Sequence, residues 1–334
     1  SLEESLGFQR VPVFCVKRKN PINESLFVEP QPETNLSPYE LIIIREAKRR
    51  GIKVDVLDEE LGYFTLQFGG RLIVCRQSLT ELTSAIAMSR CDDKRLTLRL
   101  LKQINLRVPA QQLAGESDVN RAFLKRHERI VVKPARGEQG AGISVDIRTP
   151  EELDAAIQLA AQVCEDVLLE AYCEGDDLRV IVINDEVVAA ATRRPPTLTG
   201  SGRHTIRELI DKYNRRRMAA TGGESRVPMD AETERCVKLE GFSLDDVLPA
   251  EQTLRVRKTA NLHTGGTLHD VTAHLSKAIA NASIRAAQAI GIPVVGLDFL
   301  VPDVAGDDYV LIEANERPQS QICAPFGSSK YPSL

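Results

Sequence analysis

Two apolar runs, Gly296-Leu297-Asp298-Phe299 and Leu311-Ile312-Glu313-Ala314-Asn315, each carry polar oxygen donors where a buried strand should be apolar. Solvation does not explain an acid between Leu297 and Phe299, since a buried charge is costly unless it is paired or metal-bound. Glu313 and Asn315 are two residues apart and so share one strand face. Carboxylates and a carboxamide on two such strands suit Mg²⁺, which takes oxygen ligands together with nucleotide phosphates. Buried acids satisfied by backbone donors would use the same residues.

A second signal raises the weight of the metal reading. Val131-Val132-Lys133-Pro134 is a strand that delivers a lysine, and Gly137, Gly140 and Gly142 follow before the next strand begins near Ile143. Glycines let backbone N–H groups approach an anion, and a nearby lysine adds a point charge for phosphate. The spacing is not that of a P-loop, which needs G-K-[ST] at the start of a helix. A plain hairpin with an exposed lysine is the competing reading. Leu168-Leu169-Glu170-Ala171-Tyr172-Cys173-Glu174-Gly175-Asp176-Asp177 leaves an apolar strand through an acidic turn. Such a connection can offer backbone groups to an adenine edge and a carboxylate to a ribose. Arg257-Lys258-Thr259-Ala260-Asn261 and the glycines at 265 and 266 form a further basic, phosphate-friendly loop.

Composition excludes several classes. With 43 Lys+Arg against 47 Asp+Glu the net charge is −4, without the basic excess of a dedicated nucleic-acid binder. Hydrophobic residues are 43% of the chain, enough to bury a core and too many for a disordered chain. Apolar runs such as Leu41–Ile44 are far too short to span a membrane, and no secretory signal is recognisable, so a cytoplasmic protein is expected. The seven cysteines are scattered, odd in number and without a C-x-x-C pair, which reads as reduced thiols.

Along the chain, 334 residues suggest roughly two domains. Residues 1–20 read as one strand, 21–37 as a polar, Pro-rich linker and 38–110 as a small α/β lobe. That lobe has a helix ending near Gly51 and two strands joined by Gly69-Gly70. Residues 111–334 carry the remaining strands, five of which (from Ile130 to Ala191) read as a meander around one helix. Thr149 and Glu152 mark the start of that helix as a capping box. A long helix is expected from about Thr272 to Ile290. The fold class is α+β with a mostly antiparallel sheet.

In this order the four signals resemble the ATP-grasp superfamily, over roughly residues 38–325. The stretch from Lys133 to Asn315 is most similar to the branch of cyanophycin and bacterial glutathione synthetases, with Arg193-Arg194-Pro195-Pro196, Gly202–Ile210 and Asn261–Thr267 as branch-specific segments. The resemblance implies an ATP-grasp fold preceded by a small α/β lobe, ATP and Mg²⁺ as cofactors, and carboxylate–amine ligation of small amino-acid substrates. It implies no nucleic-acid or membrane partner and leaves self-association into a homo-oligomer open.

Residue by residue, it implies that Lys94 and Lys133 meet nucleotide phosphates beneath the loop of Gly137, Gly140 and Gly142. Glu170 and Tyr172 would lie at the adenine hinge, with Asp177 at the ribose. Arg257 and Asn261 would stand near the γ-phosphate and acyl group, with Lys133 assisting, and Asp298, Glu313 and Asn315 would hold magnesium. The family commonly has glycine where this chain has Arg317, which would grip a substrate carboxylate or form a structural ion pair; Arg193 is a further substrate candidate. Residues 4–19 resemble the closing strand of a GNAT-type acetyltransferase domain. That layout implies N-acetylglutamine as acyl donor and glutamine as amine.

Overall fold

The computed structural model describes residues 35–137, 141–221, 223 and 225–318, which fall into two compact units divided after Gln77. The strand expected within residues 1–20 and Gly140 lie outside the described residues. In the first unit, α1 (Pro38–Arg49) is followed by an antiparallel meander of β1 (Lys53–Asp58), β2 (Tyr63–Phe68) and β3 (Arg71–Arg76). Gly69 and Gly70 both have positive φ, +56° and +79°, the backbone that a tight two-residue hairpin needs. Ile44 of α1 is buried on Phe64 and Cys75 of the sheet.

The second unit opens with β4 (Leu79–Thr80), α2 (Ala85–Asp92) and α3 (Lys94–Gln103). The unit boundary therefore falls after Gln77 and not at 110, as the sequence suggested. The reason is packing: Leu98, Leu101 and Leu106 are buried in one core with Leu297, Phe299 and Leu311, far along the chain. Then follow β5 (Gln111–Leu113), α4 (Ser117–His127), β6 (Ile130–Pro134), β7 (Ser144–Ile147), α5 (Pro150–Ala161) and β8 (Val167–Ala171). These strands form an antiparallel sheet in the order β5-β8-β6-β7, with Ile130, Val132 and Leu169 packed on Phe123 of α4 and Leu153 of α5. The capping box of α5 forms as expected: Thr149 accepts from the Glu152 amide at 3.2 Å, and Glu152 accepts from the Thr149 amide at 3.3 Å.

Next come β9 (Asp176–Ile183), β10 (Glu186–Arg194), β11 (Thr197–Thr199), α6 (Ile206–Thr221), α7 (Ala231–Leu239), β12 (Thr253–Arg255) and β13 (Thr267–Asp270). The chain continues through α8 (Lys277–Ile290), β14 (Val294–Val301) and β15 (Val310–Asn315). A second antiparallel sheet has the order β13-β10-β9-β14-β15, and α3 and α8 share its core. The expected single meander is thus two sheets, divided between β8 and β9. Gly175 at that division has φ +150°, and a Cβ there would meet the Val301 amide nitrogen at 2.7 Å. Only glycine lets the chain pass so close to β14. The helix expected from Thr272 starts later, at Lys277, because Ser276 caps it by accepting from the Ile279 amide. β11 and β12, though separated by α6 and α7 in the chain, pair as a small antiparallel two-stranded sheet, and a third core includes Ile206, Ile210 and Leu254. Among the described residues no helix is long and apolar enough to cross a membrane.

Candidate functional site

Lys94 is the first residue of α3, and its backbone amide donates to Ala135 O at 3.2 Å, tying the helix start to the end of β6. Its ammonium group donates to Gly137 O at 3.0 Å and lies 3.3 Å from Glu313 Oε1. One buried lysine therefore joins the glycine loop to the acid-bearing strand β15. Lys133, on β6, pairs with Glu170 of β8 at 2.8 Å, and the Gln111 amide donates to the other Glu170 oxygen at 2.7 Å. Gln111 and Glu170 are register partners on β5 and β8, which is why the carboxamide reaches.

A second cluster sits on the larger sheet. Asp298 of β14 is opposite Arg179 on β9 and opposite Glu313 on β15. Arg179 grips Asp298 with two donors, Nε to Oδ1 and Nη2 to Oδ2, the latter at 2.8 Å. Arg193 lies 3.0 Å from Asp298 Oδ1 and donates to Asp177 at 2.8 Å, and Asn315 Nδ2 donates to Asp298 Oδ2 at 3.2 Å. Burial alone would raise the Asp298 carboxyl, but the charges of Arg179 and Arg193 outweigh it and hold Asp298 below its ordinary value. Burial pushes Asp177 upward despite Arg193. The structure thus gathers Asp177, Arg193, Asp298 and Asn315 into one network, and its two acids are matched by two arginines.

Asp298, Glu313 and Asn315 are the right chemical types for magnesium. Glu313 and Asn315, both partly exposed at the end of β15, fit that role as they stand. Asp298 does not in this arrangement, because both of its oxygens already accept from arginine and Asn315 donors. Among the described residues no group of three or more His, Cys, Asp or Glu side chains could hold a metal ion.

The remaining expected residues stand apart. Tyr172 lies at the end of β8 with the Arg129 guanidinium 3.9 Å above its ring. Arg257 donates to Asp230 at 2.6 Å and to Thr233 at 3.0 Å on α7, while its buried Nε has no partner. Asn261 accepts from the His263 amide and caps a single 3₁₀ turn. Its loop leads into β13, which places Leu268 opposite Arg193 of β10. Arg317 pairs with Glu316 at 3.3 Å. Gly142 has φ +70° and packs over α5, where a Cβ would lie 3.0 Å from Val163.

Three contributors were not singled out from sequence. Arg179 is a lone cation in the apolar run Leu178–Ile183, the same anomaly that drew attention to Asp298, and so was open to the same argument. Gln111 and Arg129 carried no comparable signal, because polar residues at strand ends are ordinary.

Residues 91–198 match the model of the RimK-like ATP-grasp domain. This span holds Lys94, Lys133, Glu170, Asp177 and Arg193 and stops short of the acid strands. The glutathione biosynthesis bifunctional protein of Listeria welshimeri is 31% identical over 296 residues, covering 85% of this chain and 38% of that protein. The cyanophycin synthetase of Trichormus variabilis is 30% identical over 295 residues, covering 86% of this chain and 33% of its own length. The crystal structure of a bifunctional glutathione synthetase from Pasteurella multocida superposes with a TM-score of 0.61 at 22% identity, over 85% of this chain and 40% of that one. The chain has the ATP-grasp fold. It spans between a third and two fifths of the length of these relatives.

Proposed function

We propose that this chain is an ATP-dependent carboxylate–amine ligase that forms ADP. The observation that carries the reading is Lys94, whose single ammonium meets both the glycine-loop carbonyl of Gly137 and the Glu313 carboxylate. A γ-phosphoryl group held there would be flanked by Lys94 and Lys133, which offset the charge that develops during transfer. A substrate carboxylate oxygen attacks the γ-phosphorus and ADP leaves. The amine then attacks the acyl carbon and phosphate leaves, which closes the peptide bond. No side-chain nucleophile is needed, and the residues contribute positioning and charge.

The loop from Gly137 to Gly142, Gly140 included, would cover the phosphates and keep water from the acyl phosphate. Glu170 and Tyr172 would border the adenine and Asp177 the ribose. Glu313 and Asn315 would hold magnesium, which supplies positive charge between the phosphates when bound. Asp298 would join them only by giving up an arginine contact. Arg257 and Asn261 would serve the reacting phosphoryl and acyl groups, and Arg193 and Arg317 a substrate carboxylate.

For the substrates, the resemblance of residues 4–19 to an acetyltransferase strand favours N-acetylglutamine and glutamine, the reaction of N-acetylglutaminylglutamine synthetase. The names of the relatives favour a second reading, a ligase of the glutathione- or cyanophycin-synthetase type. ADP release with MgATP against a panel of acyl and amine substrates tests all three levels. Product with N-acetylglutamine and glutamine supports the narrow reading, and product with the precursors of glutathione replaces it. No ADP with any pair, from folded protein that binds ATP, leaves a nucleotide-binding module without turnover.

A further inference from the structure

One face of α6 reaches the loop that carries Asn261. Tyr213 and Arg217 are four residues apart and so share that face. The Tyr213 hydroxyl donates to Gly265 O at 2.6 Å. Arg217 Nη2 donates to Gly266 O at 2.7 Å and to Ser225 Oγ at 3.1 Å. The buried Ser225 hydroxyl donates in turn to Leu262 O. Arg215 and Arg216, next to Arg217 in sequence, are exposed.

These bonds converge on Asn261. The Leu262 carbonyl and the His263 amide belong to one peptide unit, and that amide donates to Asn261 Oδ1 at 2.9 Å. The Gly265 carbonyl and the Gly266 amide belong to another, and that amide donates to Asn261 O at 2.9 Å. A donor on the carbonyl of a peptide unit strengthens the bond that its N–H makes. Ser225 and Tyr213 therefore hold the two peptide units that orient the side chain and the main chain of Asn261.

Neutral donors would be enough to brace a loop, and Arg217 adds a charge that bracing does not need. Its guanidinium is half-buried, its hydrogen-bond partners are neutral, and its Nε is buried without a partner. Among the described residues no acid pairs with it. Taking a cation from water without an opposite charge is costly, and an anionic group bound at the loop offsets that cost.

We propose that Arg217, acting through Ser225 and supported by Tyr213, is a positioning residue for Asn261 in the acyl-substrate part of the site. It fixes the carboxamide for a carboxylate-bearing substrate and keeps positive charge behind the loop. This role rests on the ligase reading above.

The full chain is assayed for ADP release with MgATP and two substrate pairs, N-acetylglutamine with glutamine and the precursors of glutathione. ADP binding is measured by calorimetry, and amide exchange of the 261–266 segment by mass spectrometry. R217Q should raise KM for the acyl substrate by roughly tenfold or more, and Y213F by about threefold. ADP affinity should stay within about twofold of wild type, because Lys94 and Lys133 are untouched. R217K, which keeps the charge and a donor, should recover part of the R217Q loss. The Tyr213 ring packs on the core of Ile206 and Ile210, so Y213F keeps that packing and tests the role even where an Arg217 variant fails to fold. An unchanged KM in these variants overturns the proposal, even where the loop exchanges faster, since the loop then braces the fold alone. Equal losses in KM and ADP affinity, or R217K no better than R217Q, overturn it too. Wild type that binds ADP but releases none with either pair fails the ligase reading itself, and the positioning role falls with it.

Discussion

Lys133 and Glu170 form an ion pair at 2.8 Å with both side chains more than nine-tenths removed from solvent. The pair spans β6 and β8, and Gln111 secures its far side. Glu170 thus aims the lysine ammonium and satisfies its charge while no phosphate is present.

Removing one member of such a pair leaves a buried charge without a partner. Glu170→Ala should lower the unfolding free energy by about 3–5 kcal/mol in urea denaturation. Glu170→Gln, which keeps a hydrogen-bond acceptor for Lys133, should lose clearly less. Similar losses in the two variants would mean that the unpaired charge of Lys133, not packing or the lost acceptor, sets the cost.

Asp146 gives a pH dependence with a definite sign. Burial alone would raise this carboxyl, but the hydrogen bonds from Arg129 and Arg148 and the charge of Lys258 hold it well below the usual carboxylate range. A depressed folded-state value stabilises the fold above the unfolded value of about 4 and loses that contribution as pH falls through the folded one. Asp146 has φ +65°, which asparagine tolerates, so Asp146→Asn isolates the charge. Urea midpoints should separate wild type from variant above about pH 5 and converge towards pH 2. A gap that stayed constant across that range would remove the charge from the account.

How much was legible in the sequence depended on whether a signal was local. The Thr149–Glu152 capping box and the Gly69-Gly70 turn are complete within a few residues, and both formed as read. Asp298 and Glu313 were conspicuous as acids in apolar runs, and the structure sets them directly opposite each other. Pairing over long separations left no such trace. β9 is flanked by β10, its neighbour in sequence, and by β14, more than a hundred residues on, which no pattern within β9 announces. Leu98 and Leu101 would look the same whichever unit they served, so the boundary at Gln77 was not readable. That two arginines occupy Asp298 was also hidden, because register alone brings Arg179 to it.

Cys91 should be inert in the native protein. Burial, with added repulsion from Glu316 and Glu313, pushes its thiol up to about 12. At pH 8 roughly one molecule in 10⁴ then carries the reactive thiolate. Iodoacetamide labelling mapped by mass spectrometry should leave Cys91 unmodified while the half-buried Cys164 reacts, with both labelled in denaturant. Comparable native rates at the two positions would contradict this placement of Cys91.

Glu313→Gln keeps the shape of the side chain and removes its charge. Lys94 is buried, but Glu313 is 31% exposed and glutamine still offers Lys94 an acceptor, so the loss of stability should stay below that of Glu170→Ala. If Glu313 serves the nucleotide and its metal, MgATP-dependent ADP release should fall by at least 10- to 100-fold. Near-wild-type release from a stable variant would take Glu313 out of the site.

The Arg179–Asp298 pair offers a sharper test, because its cluster is balanced. Arg179 and Arg193 match Asp177 and Asp298, and Gly296 keeps the space open, since a Cβ there would lie 2.9 Å from Arg179 Nη1. Arg179→Met leaves an excess buried acid, and Asp298→Asn leaves an excess buried cation. Each should cost about 3–5 kcal/mol. Combining the two restores neutrality, so the double variant should be more stable than the summed losses by about 1–3 kcal/mol. Unfolding free energies of the four proteins at neutral pH give the coupling directly. Strict additivity would show that each side chain acts through its own packing, and the arginines would then not be what holds Asp298 ionised.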